Sequence, residues 1–154
     1  MEERSRGRTQ VQRDLLLVFG LFLTLATGGA AFLYYYSDWR VPAQMKQMQN
    51  PVPASREAIG AGLMLYMDNC QSCHGENGDG KGEKAEKLSV APANFTDTRA
   101  MSAVTDGELF WKITHGRRPM PSFRGKLTDE ERWQLVVYIR TFASKSQPSA
   151  PTQP

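Results

Sequence analysis

Cys70-Gln71-Ser72-Cys73-His74 is the stretch on which the reading of this chain turns. The chain has two cysteines and two histidines, and both cysteines and one histidine fall inside these five residues. C-x-x-C-H is the attachment signal of a c-type haem. The spacing has a physical reason, since residues three and four apart share a helix face. Cys70 and Cys73 can reach the two vinyl groups on one haem edge as thioethers, while His74 turns over the ring to supply an iron ligand. A thioredoxin-like dithiol would sit in a βαβ pattern, which is absent. A zinc site would need further thiolate or imidazole ligands, and only His115 remains. A plain Cys70–Cys73 disulfide is the remaining alternative.

Working outward from the motif, the flanking segments read as helices. Ser55 is placed to cap a helix running into Cys70, with Ile59, Leu63, Tyr66 and Cys70 as one apolar stripe. Thr105-Asp106-Gly107-Glu108 is a capping box, followed by Leu109, Phe110 and Ile113 and stopped at Gly116. Thr128-Asp129-Glu130-Glu131 is a second capping box, its acids in the favourable first turn. Leu135, Tyr138, Ile139 and Phe142 then recur at helical spacing. No alternating strand pattern of useful length appears. Gly75, Gly78 and Gly80 mark a turn-rich loop. They follow a haem motif rather than a strand, which argues against a dinucleotide loop. Lys81, Glu83, Lys84, Glu86 and Lys87 form a solvated charged face.

Certain stretches, taken in order, resemble the class I c-type cytochromes in their short bacterial form. They are Gly62-x-x-x-Tyr66, CHGENGDGKG from Cys73, APANF from Ala91, HGRRPMPSF from His115 and LVVYI from Leu135. The resemblance covers roughly 55–143. It implies an all-α fold of three to four helices around one covalent haem, with the N- and C-terminal helices crossing near Gly62 and Leu135/Tyr138. It also implies that Pro92 offers its carbonyl to the Nδ1–H of His74, which would orient the ligand.

The second iron ligand must come from elsewhere, either His115 or one of seven methionines. Met64 and Met67 belong to the helix leading to Cys70 and cannot fold over the opposite haem face. Met101 sits in a loop before the middle helix. Met120 lies between Pro119 and Pro121, in a loop those prolines stiffen. The family resemblance places its axial methionine in a similar segment, so Met120 is the favoured ligand. His115, read as a solvated helix-end residue near the C-terminal dipole, and an open iron site stay as alternatives. Arg117 and Arg118 are candidates for haem propionates, for a partner or for plain solvent exposure. Trp111 and Trp133 are candidates for the pocket lining or ordinary core.

The expected organisation has five parts. Residues 1–14 form a basic tail carrying Arg4, Arg6, Arg8 and Arg13. Residues 15–36, LLLVFGLFLTLATGGAAFLYYY, hold 22 uncharged residues that as a helix would span roughly 33 Å. They are expected to form a transmembrane anchor, with a cleaved signal peptide as alternative. Basic residues before it predict a cytoplasmic N-terminus in a bacterial membrane and a periplasmic haem domain. Tyr34 to Tyr36 and Trp39 would form an interfacial belt, and Gly28, Gly29, Ala30 and Ala31 a close-packing surface. Residues 37–54 read as a flexible linker, with a short surface helix at AQMKQMQ, its Met45 and Met48 touching lipid or a partner, as the alternative; 55–143 read as the cytochrome domain and 144–154 as a disordered tail.

Composition trims the functions available. The chain carries 19 Lys/Arg against 16 Asp/Glu, a net charge of +3. Residues 1–50 hold six basic and four acidic residues of these, so only +1 remains for 51–154. That is too little for generic nucleic-acid binding or for strong electrostatic steering of a partner. His/Met coordination leaves no open iron position, so the chain is expected to be an electron carrier rather than an enzyme. The expectation is a membrane-tethered monohaem protein moving single electrons from a quinol-oxidising complex to a terminal oxidase or photosynthetic reaction centre. A fixed haem subunit of a larger complex is the first rival, and a haem enzyme or gas sensor the second.

Overall fold

The computed structural model describes residues 2–37 and 40–145. Trp39 and the tail from 146 onward lie outside the described residues, as do the side chains of Tyr34 to Tyr36. The chain divides into two units, Met1–Arg40 and Val41–Pro154.

The first unit is one helix, α1, Glu2–Ser37. Thr24 and Thr27 return their hydroxyls to the carbonyls of Leu21 and Leu23, so these polar groups are satisfied within the helix. Among the described residues, however, no helix is long and apolar enough to cross a membrane. The expected single-pass anchor is corrected on this ground. The membrane localisation, with cytoplasmic N-terminus and periplasmic domain, falls with it.

The second unit is helical. Its elements are α2 (Ala43–Lys46), α3 (Arg56–Asn69), α4 (Gln71–His74), a 3-10 turn at Ala85–Lys87, α5 (Thr98–Ser102), α6 (Asp106–His115) and α7 (Asp129–Lys145). The only β pairing among the described residues is an isolated bridge between Arg117 and Met120. The caps form where the sequence places them. Ser55 accepts from the Ala58 amide. Thr105 and Glu108 make a reciprocal capping box, and Thr128 and Glu131 make another. Each box satisfies amides that a helix start leaves without partners.

The α3–α7 crossing organises the core. A Cβ on Gly62 would lie 2.3 Å from the Gln134 carbonyl oxygen and 2.7 Å from Cβ of Tyr138. Only a glycine lets the two backbones meet this closely. The buried face of α3 is Ala58, Gly62 and Tyr66. Leu63, expected in the apolar stripe, is instead 37% exposed. The contact is chosen by smallness at Gly62, which turns Leu63 outward. Leu135 and Val136 are fully buried beneath it.

Arg140 joins α7 to its neighbours. Its guanidinium donates to Asp106 Oδ1 at 2.7 Å, to the Met101 carbonyl at 2.7 Å and to the Val104 carbonyl at 2.6 Å. Trp133 stacks on Phe110 at 4.1 Å, and the Arg132 guanidinium lies over the same ring, 5.1 Å from its centroid. Both Trp111 and Trp133 are buried.

Where a flexible tether was expected over 37–54, much of the segment is docked. Met45 and Val52 pack on the core, and Lys46 pairs with Glu108 at 3.5 Å. Asn50 donates to the Trp133 carbonyl at 3.2 Å. Gly107 makes room: a Cβ there would sit 1.7 Å from the Met45 carbonyl oxygen. At the other end, α7 runs to Lys145, past the expected domain boundary at 143.

Candidate functional site

The C-x-x-C-H motif occupies the junction of α3 and α4. Cys70 closes α3 and opens α4 in one non-helical residue, φ −122°, ψ −36°. Its carbonyl accepts from the amides of Cys73 and His74, which gathers the motif into a single turn. Gly75, at φ +83°, ends that turn. The loop beyond folds back over it: Gly80, Gly82 and Lys84 donate to the carbonyls of His74, Cys73 and Ser72. These are the carbonyls that a helix end leaves unpaired, so the glycine-rich loop finishes the motif.

Neither cysteine is in a disulfide. Burial pushes the Cys70 thiol up to about 12, the neighbouring Cys73 adds to this and Lys126 opposes it. The thiol is thus held protonated.

His74 is fixed from two sides. Its Nδ1 is 3.1 Å from the Ala93 carbonyl oxygen. A carbonyl cannot donate, so Nδ1 carries the proton and Nε2 keeps a bare lone pair. The ring also stacks on Phe95 at 4.7 Å and 16°. Burial lowers the His74 pKa, with the Ala93 bond working against that. The imidazole is therefore held neutral, as a metal ligand must be. The carbonyl partner is Ala93 and not Pro92, a correction of one residue. The Pro92 carbonyl points instead at Gly80, where a Cβ would approach to 2.8 Å.

Met120 is closed into a four-residue turn by reciprocal bonds, Arg117 N–H to Met120 O at 2.9 Å and Met120 N–H to Arg117 O at 2.8 Å. It is half-buried and packs on the same hydrophobic core as Cys70. His115 is committed elsewhere. Nδ1 donates to the Trp111 carbonyl and Nε2 accepts from Arg124, while the ring stacks on Trp111 at 4.3 Å. With both nitrogens engaged it has no lone pair to offer.

The donor chemistry fits a haem c on three counts: two free thiols one turn apart, an imidazole with its outer nitrogen bare, and a thioether packed on the shared core. Ala93 and Phe95 were not given roles from the sequence. Both lie in the APANF stretch that carries the family resemblance, which was the available signal.

Comparisons with known proteins agree. A family model described as cytochrome C oxidase, cbb3-type, subunit III matches residues 57–139. The chain is 30% identical over 86 residues to cytochrome c6 of Leptolyngbya boryana, covering 55% of this chain and 93% of that one. It is 29% identical over 98 residues to the cbb3-type cytochrome c oxidase subunit FixP of Azorhizobium caulinodans, covering 63% of this chain and 31% of that one. It is 29% identical over 129 residues to 1-butanol dehydrogenase (cytochrome c) of Thauera butanivorans, covering 84% of this chain and 17% of that one. A chain in the solved structure of the Kuenenia stuttgartiensis reducing HAO-like protein complex is similar at a TM-score of 0.53 and 28% identity, over 60% of this chain and 46% of that one. The chain thus spans under a third of FixP and of the dehydrogenase but nearly all of the cytochrome c6. With more than half of its length matched, the chain belongs to the cbb3-type subunit III family of c-type cytochromes, electron-transfer proteins of the class I type.

Proposed function

We propose that the chain carries one haem c, joined through Cys70 and Cys73, with His74 and Met120 as the two iron ligands. The observation that carries this reading is His74 itself: its Nδ1–H is spent on Ala93, its Nε2 is free, and two thiols outside any disulfide precede it within one turn. When bound, haem c supplies a one-electron iron couple, and thioether ligation favours its ferrous form. The protein's own work is positional. Ala93 fixes the tautomer, Phe95 holds the ring plane, and the Arg117–Met120 turn presents the sulfur without a large ordering cost. With His74 and Met120 both ligating, the iron would have no open place for a substrate, so the function is electron transfer. The physiological route we infer is from a quinol-oxidising complex to a terminal oxidase or photosynthetic reaction centre.

A second reading, a fixed haem subunit of a larger assembly, is favoured by the relatives in which a similar segment is a minor part of a longer chain. Sizing after native extraction separates the two, since a lone small particle excludes the subunit. The haem assignment is tested by expressing the chain with a c-type maturation system and staining a denaturing gel for haem. Covalent haem in the wild type, lost in Cys70→Ala/Cys73→Ala, supports it. Carbon monoxide binding to the reduced wild type would defeat the Met120 ligation.

A further inference from the structure

Beside the α3–α7 crossing lies a cleft of about 500 Å³ whose lining includes none of Cys70, Cys73, His74 and Met120. Its floor is aromatic. The rings of Tyr66, Tyr138 and Phe142 stand within 5.1–5.4 Å of one another. Its rim is apolar but open, with Leu63 37% and Met67 52% exposed. Glu76 is its one charged lining residue, and the amides of Gln71 and Asn77 line it too. The Tyr66 hydroxyl is occupied, donating to the Gly75 carbonyl at 2.7 Å. The Tyr138 hydroxyl makes no hydrogen bond among the described residues, and its pKa is raised by burial and then by the charge of Glu76.

We propose that this cleft is a docking site for a lysine or arginine side chain of a protein partner. The cationic head gains from a carboxylate at the rim, and the aliphatic stem of lysine or arginine from the apolar lining. The lining amide and hydroxyl oxygens are acceptors for its N–H groups. An anion would meet Glu76 with no basic lining residue to offset it. A protein is favoured over a free amine because the apolar surface runs on past the cleft. Met64, 60% exposed, continues the Leu63 and Met67 face along α3. Exposed methionines in a row suit a protein flank, being flexible and readily desolvated.

The position gives the site its purpose, and here the inference rests on the reading of His74 as the haem ligand. Phe95 stacks on His74 at 4.7 Å and on Phe142 at 6.3 Å. It meets Tyr66 edge-on at 6.5 Å. The cleft floor is therefore joined to His74 through one intervening ring, so a partner seated here lies close behind the ligand.

The test uses the full-length, haem-loaded, reduced protein and tetralysine amide as probe. Backbone amide shifts are mapped by NMR during titration. The expected result is that shifts concentrate on residues 63–67, 71–77 and 138–142, and that Glu76→Gln weakens binding about two- to fivefold, as loss of one partly exposed ion pair implies. Shifts confined to another acidic group, such as Asp129 to Glu131, or affinity unchanged by Glu76→Gln, would overturn the docking site. Haem staining of the same sample reads the haem assignment separately. Haem present without cleft shifts defeats only the docking proposal, and haem absent defeats the proposed function.

Discussion

The two sides of the candidate site are built differently. The His74 side is continuous with the α3–α7 crossing. It is locked by a carbonyl bond from Ala93, a ring stack from Phe95 and a loop whose amides cover the motif's carbonyls. The Met120 side is one four-residue turn between α6 and α7, closed by two backbone bonds. The first is over-determined, with several independent restraints on one imidazole. The second has fewer restraints on the side chain it presents, chiefly that turn and the packing of Met120 against the core. The cysteine side should therefore govern whether a folded holoprotein exists, and the methionine side should tune what it does.

The largest effect is expected from Cys70→Ala/Cys73→Ala. Covalent haem should disappear completely on a denaturing gel, and retained covalent haem would break the attachment assignment. Next comes Gly62→Val, which drives a branched side chain into the Gln134 carbonyl and Tyr138. A loss of about 3 kcal/mol is expected from denaturant unfolding. The methionine side should behave otherwise. Met120→Ala should leave the far-UV spectrum intact, lower the reduction potential by roughly a hundred millivolts and admit carbon monoxide to the reduced form. An unchanged potential and spectrum would reassign the ligand. Arg140→Met removes three donated bonds across α5, α6 and α7 and should cost about 1–2 kcal/mol.

The smallest effect concerns acid stability. Glu131 has its pKa lowered by the Thr128 backbone amide and then by the Thr128 hydroxyl. A carboxylate lowered in the folded state stabilises above its unfolded value of 4.5 and loses that contribution as pH falls through the folded value. Glu131→Gln should slightly reduce Tm at neutral pH and flatten the fall of Tm below pH 4.5. An unaltered slope would mean that the cap contributes nothing.

What the sequence made legible was local. The three caps link residues three apart, so Ser55, Thr105 and Thr128 announced them directly, and the haem motif spans five residues. Elements set by distant contacts were not legible. Arg140 reaches carbonyls 36 and 39 residues away, and no pattern in a helix flags such a partner. Leu63 was misplaced because hydrophobic spacing does not show that the crossing needs a glycine next to it. Pro92 was one residue off because a loop lacks the periodicity that fixes register. The anchor rests on hydropathy over 22 residues, and among the described residues no helix is long and apolar enough to cross a membrane.

The Gly107 contact bears on where a working polypeptide can begin. The family match starts at residue 57, yet the compact unit starts at Val41. A gene trimmed to the match would delete Met45 and Asn50. That would leave the notch over Gly107 unroofed and the Trp133 carbonyl without its donor. The recombinant fragment to make begins at Val41, and the shorter one should express as a less heat-resistant protein.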